Sequence, residues 1–204
     1  MFNLYEFFAT SRKQSLCFLS ALVFFFISFQ TARAQSEQIA QSLAPCVCTN
    51  CPQFMPDGFT GNFYIQVQNA SNPTLGQNGQ GVCGVRLFFD HEYLGDLQIT
   101  LTSPAGQSVT LGGPIGFFGP TDFTVWDVLF VPCGDAANPD PGFSSTWNNN
   151  QPWGLFGSYT GSYYPAAGCL ENFNTGPVNG QWTLTVIDGQ AIDVGNFYNY
   201  EIIF

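Results

Sequence analysis

Residues 95–111 read GDLQITLTSPAGQSVTL, and this stretch decides the fold class. Leu97, Ile99 and Leu101 alternate with Gln98, Thr100 and Thr102, the period of two expected when one face of a strand meets a core and the other meets water. Ser103-Pro104-Ala105-Gly106 then supplies turn residues, and residues 108–111 return as a second strand. Outward from this hairpin the same kind of segment recurs at residues 62–68, 82–93, 96–102, 123–131, 181–188 and 196–204. In the C-terminal part, Trp182, Leu184 and Val186 alternate with Thr183, Thr185 and Ile187. Gly, Asn, Pro and Asp separate these segments, and no amphipathic helix is evident after residue 34. The pattern predicts an all-β protein, an antiparallel β-sandwich whose two sheets bury the alternating apolar residues between them.

The chain has 204 residues, is 45% hydrophobic and only 9% charged, and carries a formal net charge of −10. That is too apolar for disorder, and the length suits one domain. Arg12 and Lys13 precede an apolar run at residues 16–29, which is too short to span a bilayer, and Ala32-Arg33-Ala34 follows. Residues 1–34 therefore read as a secretory signal peptide cleaved after Ala34, which predicts a secreted, extracellular location, or else the periplasm or cell surface. Beyond residue 34, 13 acids face a single base, Arg86, a formal charge of −12. Such a surface disfavours nucleic acid and anionic membrane as partners. Residues 35–60 form a Cys-rich arm, and residues 61–204 form the sandwich. Within it, residues 112–179 read as a long middle loop dense in Gly, Pro and aromatics.

Cys46, Cys48, Cys51, Cys83, Cys133 and Cys169 remain after the signal peptide, an even number in a chain bound for an oxidising compartment. Three disulfides are expected among 15 possible pairings, with Cys133–Cys169 favoured because both lie in the long loop. One of the three arm cysteines is then left to join Cys83. A soft-metal site at Cys46, Cys48 and Cys51 lacks a second pair of ligands.

Three runs carry a family resemblance: VRLFFDHEYLGDLQITLTSPAGQSVTL at 85–111, YTGSYYP at 159–165 and NGQWTLTVIDGQAIDVGNFYNYEIIF at 179–204. Together they resemble the P domain (P/Homo B domain) of proprotein convertases such as kexin and furin, in its secreted bacterial form. The anchors are Gly95-Asp96-Leu97, Ser103-Pro104, Gly106, Gly180, Trp182, Leu184, Val186, Asp188, Asp193 and Gly195. The resemblance covers about residues 82–204, and the arm has no counterpart in it. It implies a jelly-roll β-sandwich that follows a subtilisin-like catalytic domain and helps it fold and stay stable. That catalytic domain is absent from this sequence.

The residues themselves argue against catalysis. His91 is the only histidine, and its neighbours Asp90 and Glu92 point to the opposite face of the strand, so they cannot orient its ring. Ser144, Ser145 and Ser158 lack the spacing of a nucleophile elbow. Carboxylates at strand ends and in loops suit calcium, and Asp90, Asp96, Asp122 and Asp127 are the expected ligands because they flank turns. Residues 135–140 do not form an EF-hand loop. Trp147, Trp153, Tyr159, Tyr163 and Tyr164 offer a sugar-stacking alternative in the middle loop. The expectation is a non-catalytic secreted module that stabilises or positions a subtilisin-like protease or other extracellular partner. The alternative is an independent binding or adhesion domain for protein or carbohydrate.

Overall fold

Residues 46–116, 119–134 and 140–204 are described by a computed structural model. Their strands are β1 (Cys46–Val47), β2 (Gln53–Met55), β3 (Thr60–Val67), β4 (Gly84–His91), β5 (Leu97–Thr102), β6 (Ser108–Gly112), β7 (Val125–Phe130), β8 (Ser158–Tyr163), β9 (Gly180–Asp188) and β10 (Gly195–Ile203). The only helical elements among the described residues are single 3-10 turns at Leu94–Asp96 and Leu170–Asn172. The expected signal peptide and the first part of the arm lie outside the described residues.

Two sheets form a sandwich. One runs β1-β10-β4-β7-β8 with β2 also paired to β10, and the other runs β3-β9-β5-β6. All seven predicted strands are present, and the alternation fixes their register. Leu97, Ile99 and Leu101 pair with Asp188, Val186 and Leu184 of β9, so the inward positions of neighbouring strands coincide. Facing them from the other sheet are Val85, Leu87 and Phe89 of β4 with Trp126, Val128 and Phe130 of β7, all buried. Trp182 is fully buried, and its ring nitrogen donates to the Val178 carbonyl at 2.9 Å, satisfying the one polar atom such a ring carries inward.

The structure departs from the sequence reading in three places. The arm is not wholly irregular, because β1 and β2 pair with successive parts of β10. Two- and three-residue strands are too short to show a period. The second departure is β8, a strand within the expected middle loop. It pairs with β7 in parallel, so the sheet is not purely antiparallel. A parallel return requires a long crossover, which residues 131–157 supply.

The third concerns the cysteines. Cys133–Cys169 is bonded as expected, and the chain-entropy estimate for a loop of this length is about 4 kcal/mol. Cys48 bonds Cys51 within the arm, while Cys46 and Cys83 remain free thiols. The expected link from the arm to Cys83 is absent for a geometric reason. Cys46 pairs with Ile202 on one side of β10, and Cys83 donates its backbone N–H to Ile203 on the other. An intervening strand puts their Cα atoms about 10 Å apart, too far for a disulfide.

Candidate functional site

The inward series of β4 runs Val85, Leu87, Phe89, His91, and that of β9 runs Trp182, Leu184, Val186, Asp188. Both apolar series end in a polar residue at the same pole of the sandwich. The two meet across the sheets, with His91 Nε2 3.7 Å from Asp188 Oδ2 and both side chains fully shielded from solvent. His91 Nδ1 lies 2.8 Å from the Tyr93 carbonyl oxygen, while Nε2 has no hydrogen-bond partner. The Asp188 carboxylate instead accepts from the backbone N–H groups of Gly58 at 3.2 Å and Gln190 at 3.3 Å. This pair ties the loop before β3 and the β9–β10 loop to the end of β4. Among the described residues no hydroxyl or thiol hydrogen-bonds the ring, so the geometry there is that of a buried strut rather than a base beside a nucleophile.

Asp96, in the turn that opens β5, is the second unusual group here. It is only 3% exposed, and its Oδ2 finds no hydrogen bond. Burial first, then the charges of Asp188 and Asp193 and a hydrogen bond toward Asp193, raise its carboxyl to about 7. A carboxyl raised this far keeps its proton at pH values where an ordinary aspartate has lost it. The backbone on each side is fastened, with Gly189 N donating to Asp96 O at 2.9 Å and Gly116 N to Gly95 O at 2.8 Å.

The other expected calcium ligands do not join Asp96. Asp127 accepts both N–H groups of Arg86, at 2.7 and 2.6 Å, on the outer face of the sheet. Asp90 lies on that outer face too. There it accepts from Asn196 N at 2.8 Å and from the Tyr198 hydroxyl, whose own proton is held up to about 12 by this bond and by burial. Asp122 sits in the loop before β7, where its carbonyl accepts from Phe156 N at 2.9 Å. No three of the four acids bring carboxylate oxygens within 4.8 Å of one another. Among the described residues, the one trio of metal-type ligand atoms lying within 4.8 Å of one another is Cys133, Cys169 and Glu171, and its sulfurs are joined to each other.

Nor do the middle-loop aromatics form an open platform. Trp147, Trp153 and Tyr163 are buried and pack on one another and on Phe130, while Tyr159 and Tyr164 are half-buried. Asn149 explains why this segment is ordered: its amide donates to the carbonyls of Leu94 at 2.8 Å and Leu97 at 2.7 Å, and its oxygen accepts from Trp147 Nε1 at 2.8 Å. The middle loop is therefore bolted to the same turn that carries Asp96.

With the pole, both sheets and the Gly95–Leu97 turn placed, comparison with known families finds a match in the central part of the chain. Residues 81–138 match the proprotein convertase P-domain. The matched P-domain segment supplies β4, β5, β6 and β7, two strands of each sheet, together with the turn holding Asp96. Only the P-domain is detected, and no catalytic protease domain is identified.

No curated protein matches the chain. Among solved structures, it is similar to the serine protease of Aeromonas sobria at 15% identity and a TM-score of 0.32, covering 75% of this chain and 27% of that one. The same protease in complex with its chaperone ORF2 gives 15% identity and a TM-score of 0.30, over 75% and 26% of the two chains. An agarase, AgWH50C, gives 16% and 0.31, over 70% and 19%. The chain thus spans about a quarter or less of the solved proteins it resembles. At these scores the likeness carries no argument, and the similarity to the P-domain rests on the sequence of residues 81–138.

Proposed function

We propose that the chain is a non-catalytic accessory module that stabilises or positions a subtilisin-like serine protease or another extracellular protein. The observation that carries this reading is the P-domain match at residues 81–138, seated in a complete two-sheet sandwich whose one histidine is sealed inside. Two disulfides fit an extracellular setting, and no helix among the described residues is long and apolar enough to cross a membrane. Calcium enters this reading as a counter-ion of the acidic pole, which carries Asp90 and Asp122 of the four expected ligands.

The test is to add the purified chain, residues 35–204, to an exported subtilisin-like protease stripped of its own P-domain and follow thermal inactivation. The expected result is slower inactivation of the protease with no peptide turnover by the chain alone. Unchanged inactivation across several such proteases would remove the protease from the proposal. Turnover by the chain alone, lost in His91→Ala while folding is kept, would overturn the non-catalytic part.

A further inference from the structure

Three large apolar residues of the described chain are more than two-thirds exposed: Ile192 at 83%, Phe123 at 75% and Phe156 at 72%. The same three are the only apolar residues among the described non-glycines with positive φ, at 101°, 59° and 57°. Left-handed backbone is costly for a bulky or β-branched side chain, and here no burial of that side chain offsets the cost. The two phenylalanines are nonetheless held in place. Phe156 N donates to Asp122 O at 2.9 Å, Gly157 N to Thr124 Oγ1 at 3.0 Å, and Thr124 Oγ1 to Gly154 O, so the two loops lock each other. Thr121 fastens the first loop to the end of β4 through the carbonyls of His91 and Glu92. The rings of Phe123 and Phe156 stack at 5.0 Å and 7°, with Leu155 exposed beside them.

All three residues lie at the pole that carries Asp57, Asp90, Glu92, Asp122 and Asp193. That placement follows from the pairing of Gly195 with His91, Asp90 with Val125 and Val125 with Ser158. β10 and β7 flank β4, so the strands that the Ile192 and Phe123 loops lead into lie roughly 10 Å apart, a span one protein surface can cover. The only cation of the described chain, Arg86, is engaged with Asp127 toward the other end of β4.

We propose that this pole is a docking surface for a protein partner that presents Lys or Arg side chains around an apolar patch. Charge complementarity selects this occupant. A second copy would bring the same acids face to face. The inference does not depend on the partner being a protease.

The test uses residues 35–204 and a random peptide library displayed on phage, with Phe123→Asn/Phe156→Asn as the counter-selected variant. Asn accepts the left-handed conformation, so the double variant should melt at or above the wild-type temperature, whereas a packing role for the rings would lower it. The expected result is enrichment of peptides mixing basic with aromatic or aliphatic residues. Their binding should weaken about tenfold or more in the double variant and fall with added salt. Peptides that bind both proteins alike, enriched peptides without basic residues, or no enrichment would each overturn the proposal. So would Phe-dependent dimers in ultracentrifugation, or Phe-dependent binding to a glycan array.

Discussion

At the residue scale, Asp96 makes the clearest claim. Its carboxyl titrates near 7 in the folded protein, while an ordinary aspartate titrates at 3.8. Between those values the native state keeps a proton that the unfolded chain has released, so stability falls as pH rises. The contribution is complete below about 4 and is lost as pH passes through about 7. The melting temperature should therefore decline between pH 5 and pH 8, and Asp96→Asn should flatten that decline, since an amide keeps a donor toward Asp193 without titrating. A wild type and variant with parallel pH profiles would show that the proton is not held there. His91 is the opposite case. Its sequence neighbours misdirect attention to Asp90 and Glu92, yet its place at the end of an inward series already selects Asp188, the end of the matching series on β9. That signal is in the alternation of the two strands once both are read inward.

At the element scale, β8 shows what periodicity misses. Ser158 to Tyr163 is an edge strand with a glycine at its centre and no apolar alternation, and only pairing with β7 makes it a strand. Gly161 adopts φ of +119°, and a Cβ there would collide with the Asp140 carbonyl. Gly161→Ala is expected to cost about 1–3 kcal/mol, read from the denaturant midpoint. A midpoint within error of wild type would count against this strand.

β10 likewise governs the thiols by standing between Cys46 and Cys83. Without reductant, the exported chain should yield two alkylated cysteines, with exposed Cys83 reacting quickly and Cys46 slowly, because burial raises its thiol. Mass spectrometry of the alkylated protein decides this, and complete protection of both would restore the third disulfide expected from counting.

At the scale of the whole molecule, the acids are spread over separate tasks: a buried carboxyl raised to about 7 at Asp96, a strut at Asp188, outer-face acceptors at Asp90 and Asp127. Millimolar calcium and magnesium are accordingly expected to raise the melting temperature alike, by screening the pole. A gain specific to calcium and absent with chelator would reveal an assembled ion site. Export predicts an amino terminus at Gln35, which sequencing of the secreted protein tests, and retention of Met1 in the membrane fraction would refute it.

By itself the sequence determined the class of fold, seven of the ten strands and their inward faces, the likeness to P-domains and the Cys133–Cys169 bridge. Each depends on local periodicity, on turn residues or on composition, all of which are written along the chain. Tertiary structure alone decided the short arm strands, parallel β8, the separation of Cys46 from Cys83 and the partners that Asp90 and Asp127 take. Those depend on which strand lies between two others, and that order is set by packing over long sequence distances. The exposed Phe123, Phe156 and Ile192 belong to the same group, since a left-handed backbone at a bulky residue arises from the loops locked around it and leaves no mark in the residue type.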